Sequence, residues 1–168
     1  MSLPTESFKE LKVDKNTFER FMSYVHSGDY ILQYHSTVQD SFINKIMNHT
    51  RLYVFAVKYE VEDLQLFVSK KVLNLFLERD QAGGRDEEID LVYTLEYVYG
   101  KTNKSSEGKP SSLRRAMMQG LKLELKHAFA SQRSARLAKA FDYMLTRNEE
   151  IAADYVHLDF EPPLLMGP

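Results

Sequence analysis

The sequence predicts a mainly α fold, with about six helices and little or no sheet. Apolar residues recur at spacings of three and four along most of the chain, which gives a helix one greasy face. Several of these stripes open on Asp or Ser and close on Gly, residues suited to helix ends. Only 7 Gly and 5 Pro occur among 168 residues, too few for a turn-rich β fold. With 43% hydrophobic and 27% charged residues, the chain can build a real core behind an ordinary polar surface.

Asp14–Ser27 reads as the first helix. Phe18, Phe21, Met22 and Val25 fall at i, i+3, i+4 and i+7, Asp14 caps the first amides, and Gly28 takes the left-handed position that ends a helix. Asp29–Tyr34 is short and aromatic and reads as extended. A second helix starts at Ser36 or Thr37 and runs to about Met47, with Val38, Phe42 and Ile46 spaced by four. Leu52–Tyr59 is apolar enough for a buried helix or a strand, and pattern alone leaves both open.

Val61–Arg79 is predicted helical through Leu64, Phe67, Val68, Val72, Leu75 and Phe76, with Glu62 and Asp63 at its positive end. Gln81–Arg85 reads as a loop. Asp86 caps a helix whose inner face is Ile89, Val92, Tyr93 and Tyr97 and which Gly100 closes. Lys101–Pro110 reads as a polar loop. Ser111 or Ser112 caps a helix over Leu113–Ala130, striped by Leu113, Met117, Leu121 and Leu125. Met117 and Met118 are adjacent, so only one of them is expected to point inward. Ser134–Asp154 reads as the last helix, with Leu137, Phe141, Met144 and Leu145 inward. The predicted division is residues 1–80, 81–160 and a tail over 161–168. Core positions are expected at Phe21, Val25, Phe55, Tyr59, Leu64, Phe67, Val68, Val72, Val92, Leu121 and Phe141.

The chain has no cysteine, which removes disulfides, thiolate zinc sites and cysteine nucleophiles. No secretory signal stands at Met1–Glu10, and no apolar run is long enough to span a membrane, so an intracellular location, cytoplasmic or nuclear, is expected. Net charge is −2, but it is unevenly spread: Lys101–Lys139 holds ten basic and two acidic residues, whereas Asp142–Pro168 holds six acidic and one basic. Opposed blocks of this kind are expected to neutralise each other within the fold.

Catalytic constellations fail one by one. Gly100-Lys101-Thr102 matches the end of a phosphate-binding loop, but Leu95 stands where that loop needs its first glycine. The histidines (His26, His35, His49, His127, His157) never pair at i, i+3 or i+4, so no helical metal site is expected. Asp154, His157 and Asp159 lie near the chain end and are expected to be solvated. Glu87 with Glu88, and Glu149 with Glu150, are neighbours in sequence only; adjacent helical side chains point apart. No enzyme activity, cofactor or metal is expected.

Phe18-Glu19-Arg20-Phe21-Met22-Ser23-Tyr24-Val25-His26-Ser27-Gly28-Asp29-Tyr30 resembles the BTB/POZ helix that ends in a tyrosine, threonine, glycine and aromatic turn. Leu52-Tyr53-Val54-Phe55-Ala56-Val57-Lys58-Tyr59-Glu60-Val61-Glu62-Asp63-Leu64 is similar to that family's paired-helix signature. Leu95-Glu96-Tyr97-Val98-Tyr99-Gly100-Lys101-Thr102 followed by Leu113-Arg114-Arg115 resembles the C-terminal extension of fungal members. The resemblance implies a helix over Leu52–Tyr59, with Ala56 permitting close helix approach, Tyr59 at the corner, and Val61 and Leu64 anchoring the turn.

By the same resemblance the chain is a non-catalytic interaction module, an adaptor or scaffold for other proteins. A full BTB domain begins with strands and two helices that build its sheet and most of its dimer interface. Few residues precede the first matched helix here, so a truncated domain is implied and homodimerisation is not expected. Phe8 and Glu10 match an apolar-x-Glu step that in some members grips a cullin scaffold. Two alternatives stand beside this reading. One is nucleic-acid binding by Lys101, Lys104, Lys109, Arg114, Arg115, Lys122 and Lys126, which would neutralise backbone phosphates. The other is a degenerate fragment without a retained role.

Overall fold

The computed structural model describes residues 13–31, 41–82, 88–103, 110–130 and 135–157. Among them are seven helices and no strand: α1 (Lys15–Ser27), α2 (Phe42–Lys58), α3 (Glu62–Ala82), α4 (Glu88–Lys101), α5 (Ser112–Ala130), α6 (Ala135–Arg147) and α7 (Glu149–His157). The mainly α expectation is met. Ser36, Thr37, Asp86 and the tail from Glu161 lie outside the described residues.

Local chemistry fixes several helix ends. At α1 the Asp14 carboxylate accepts from the Thr17 amide at 3.0 Å and from its hydroxyl at 2.7 Å. Gly28 at φ 73° donates its amide to Tyr24 O and stops the helix. The two segments expected on either side of Met47 are one helix, α2, because Asn48–Arg51 contains no breaker and Ser41 caps its start. Its end at the corner is a Schellman motif: Val61 N donates to Ala56 O at 2.9 Å and Glu60 N to Val57 O at 3.2 Å. The left-handed residue of that motif is Glu60, at φ 56°.

α3 runs past Arg79, so Gln81 and Ala82 close the helix and do not belong to the predicted loop. The predicted last helix is two. Asn148 ends α6 by donating its amide to Met144 O at 3.0 Å, and its side chain accepts from Ile151 N at 3.1 Å to start α7. Asparagine suits both positions, and the break turns Ile151 and Asp154 inward.

The core centres on α5, which packs on α3 along one side and meets α4, α6 and α7 on the other. That surround buries both Met117 and Met118, correcting the expectation that one would face outward. α3 and α5 approach so closely at Gly120 that an added Cβ would lie 2.2 Å from the Phe76 ring. Three hydroxyls seal the α2–α3–α5 contact: Ser112 Oγ lies 3.0 Å from that of Ser69 and 3.3 Å from that of Tyr53. One hydrophobic cluster takes in side chains from α2 to α7.

Of the predicted core, Phe55, Leu64, Val68, Val72, Val92, Leu121 and Phe141 are buried, and Phe21 and Phe67 are half-buried. Val25 and Tyr59 are not core; they are 57% and 39% exposed. The face of α1 that meets the body runs through Thr17, Arg20, Phe21 and Tyr24 and is rotated from the predicted stripe, leaving Phe18 and Val25 toward water. Ala56 is fully buried at the α2–α3 corner, as a close approach requires.

Candidate functional site

The helices bring functional groups together in three places. The first is the junction of α4, α5 and α7, built on Arg114. This guanidinium is buried and reaches three chain segments. Its Nε donates to Thr102 Oγ1 at 3.0 Å, and Nη2 donates to Tyr99 O at 3.1 Å and to Thr102 O. It stacks 4.3 Å from the Tyr99 ring centroid and pairs with Glu150 at 3.2 Å and with the buried Asp154 at 3.9 Å. Tyr99 donates its hydroxyl to Asp154 Oδ2 at 2.9 Å. Burial and the adjacent Asp154 charge push the Tyr99 phenol far above its ordinary range, so it stays a donor.

Asp154 was expected to be solvated near a chain end with His157 and Asp159. It is instead buried, His157 is exposed, and Asp159 lies outside the described residues. Arg114 comes from the basic block and Glu150 and Asp154 from the acidic one, so the two blocks do meet here. Thr102, predicted in a polar loop, is buried because Arg114 holds its carbonyl and hydroxyl.

The second place is a cavity of about 340 Å³ lined by residues of α2 and α3 and by the Asp29–Ile31 turn. Tyr30 is buried, and its hydroxyl sits 2.6 Å from His49 Nδ1. Lys71 closes the turn: Nζ is 2.7 Å from Asp29, 3.4 Å from Tyr30 O and 5.0 Å above the Tyr30 ring. The Lys71 hydrogen bond holds the Asp29 carboxyl below its usual range. Burial, with the charges of Lys71, Arg20 and Lys45 nearby, drives His49 down to about 3. A ring so hard to protonate is a poor general base at neutral pH. Among the described residues no group of three or more His, Cys, Asp or Glu could hold a metal ion.

The third place is a strip of rings on the outside of α1 and the α2–α3 corner. Phe18 lies 6.5 Å from Phe21, Phe21 4.9 Å from Phe55, and Phe55 4.5 Å from Tyr59, centroid to centroid. The middle of the strip is sunk into the body. Its two ends, Phe18 and Tyr59, are each 39% exposed, and Val57 beside Tyr59 is 49% exposed.

The residues named for nucleic acid do not form one surface. Arg114 is a correction: at 2% exposure and with Nε and Nη2 engaged inside the fold, it has no face for a phosphate. Lys101 and Lys126 are exposed on different helices, while Arg115 and Lys122 are half-buried, Lys122 lying 4.6 Å over the Tyr155 ring. Lys104, Lys109, Phe8 and Glu10 lie outside the described residues. Sequence reasoning missed the exposed strip because Phe18 and Phe21 look alike in an apolar pattern. It also missed the Tyr30–His49–Lys71 group, for which the Gly28-Asp29-Tyr30 turn was the only signal.

No protein-family model, no curated protein and no solved structure matches the chain. Among the described residues, no helix is long and apolar enough to cross a membrane.

Proposed function

We propose that the chain is a non-catalytic protein-interaction module of the BTB/POZ adaptor or scaffold kind, acting inside the cell. The observation that carries this is the strip from Phe18 through Phe21 and Phe55 to Tyr59. Its rings touch in series, so its exposed ends belong to one apolar feature and are not scattered surface residues. Large aromatic anchors set in a polar rim are what protein interfaces use for most of their binding energy. The polar constellations support the same reading: Arg114 and Tyr99 are tied to their own fold, and His49 is held neutral.

A cullin-type scaffold remains part of the proposal through Phe8 and Glu10, which rest on the sequence resemblance alone. The nucleic-acid alternative is weakened by the burial of Arg114. The test is affinity capture on the full chain beside a Phe18→Glu/Tyr59→Glu variant, with light scattering on both. The reading expects a protein held by the wild type and lost by the variant. Recovery of nothing, or equal recovery by both chains, contradicts it.

A further inference from the structure

We infer that the face formed by α1 and the α2–α3 corner binds a basic segment with an apolar anchor, a short Lys- or Arg-rich stretch of a partner protein. This rests on the interaction reading above and names its partner class. Within positions 57–66, three exposed apolar side chains flank three acids. Val57, Tyr59 and Leu66 are 49%, 39% and 42% exposed, and Glu60, Glu62 and Asp63 are exposed beside them.

None of these three carboxylates makes an ion pair or a side-chain hydrogen bond among the described residues. Some acids elsewhere have cations (Asp29 has Lys71, Glu19 has Lys15, and Glu150 has Arg114), while Glu96, Asp142 and Glu149 are exposed without an ion pair among the described residues; positions 57–66 differ in setting three such acids beside exposed apolar side chains. The only cation within the stretch is Lys58, which lies 5.5 Å over the Tyr59 ring.

Helix-end electrostatics accounts for Glu62 and Asp63, which sit in the first turn of α3. It does not account for Glu60, which precedes the helix at a left-handed position that glycine would occupy with less strain. The result is an excess of negative charge at the corner end of the apolar strip. A basic segment would be steered there by charge and held by its apolar side chain against Tyr59 and Val57. A second copy of the chain does not fit: a two-fold contact would set one acidic face against the other.

The test is an amide-resolved NMR titration of the full chain with a synthetic peptide of alternating Lys and Leu, and with the same peptide carrying Glu for Lys. Shifts confined to residues 57–66 and the Phe18 side of α1 are expected with the first peptide, and none with the second. Glu60→Gln/Glu62→Gln/Asp63→Asn removes the charge with little change in shape and should weaken binding about tenfold. Shifts elsewhere, equal binding of the acidic peptide, or unchanged affinity in the neutralised variant would overturn the inference. A captured protein that Phe18→Glu/Tyr59→Glu loses but the neutralised variant keeps overturns this inference alone and leaves the interaction reading standing.

Discussion

At the α4–α5–α7 junction, aromatic and charged groups turn inward on one another: Arg114, Tyr99 and Asp154 are buried together and meet Thr102 and Glu150. At the α1 flank and the α2–α3 corner, rings line up from the interior toward water, and the corner acids Glu60, Glu62 and Asp63 make no ion pair among the described residues. Buried polar groups bonded to one another hold a fold together and are closed off from a second molecule. Apolar edges and unpaired charges at a surface contribute little to folding and can be stabilised further by a partner. On the proposal made above, the first region serves stability and the second recognition.

Substitution at the junction should have the largest effect. Arg114→Ala leaves Asp154 buried without its cation and should cost about 3–5 kcal/mol, read as a loss of denaturation midpoint. A change smaller than that of a surface substitution would break the comparison. Acidification comes next. Unfolded His49 takes up a proton near its ordinary 6.5, whereas the folded ring resists until about 3. Stability is therefore full above pH 6.5 and falls through the window below it, by up to about 1.4 kcal/mol per pH unit. His49→Asn should flatten the slope between pH 6 and pH 4, a range still above that in which Asp14 and Asp29 titrate in the folded chain.

Gly120→Ala drives a methyl into the Phe76 ring and should cost about 1–3 kcal/mol despite the better helix propensity of alanine, with Phe76→Leu restoring part of it. Glu60→Gly relieves the left-handed strain and should stabilise by about 1 kcal/mol, while weakening capture of a basic partner. Smallest of all, Phe18→Glu should change stability by less than about 0.5 kcal/mol while reducing partner capture. Thermal or denaturant unfolding beside a capture assay reads each of these, and the ranking itself is what the comparison predicts.

Helix type and order were legible because the stripes of α3 and α5 are long. Asp14 and Gly28 could be assigned from sequence, since caps act through their immediate neighbours. What resisted was anything set by more than one helix at a time. The inner face of α1 depends on how α2 and α3 receive it, so Phe18 and Val25 were indistinguishable from core residues. Met117 and Met118 are both buried only because α5 is surrounded, which periodicity within α5 cannot reveal. Arg114 looked like any other cation of a basic stretch, since the groups that bury it lie 12 and 40 positions away, at Thr102 and Asp154. The break at Asn148 was within reach, as an asparagine between two helical stripes and followed by two glutamates is a start signal.

Placing a photo-crosslinking amino acid at position 59 or at position 143 tests the assignment of recognition to the strip most directly. Tyr143 is more exposed than Tyr59, at 61% against 39%, but is tied to Arg147 and lies outside the strip. Irradiation in cells should yield a discrete protein adduct from position 59 and none from position 143. Adducts from both in equal measure, or from 143 alone, would contradict it.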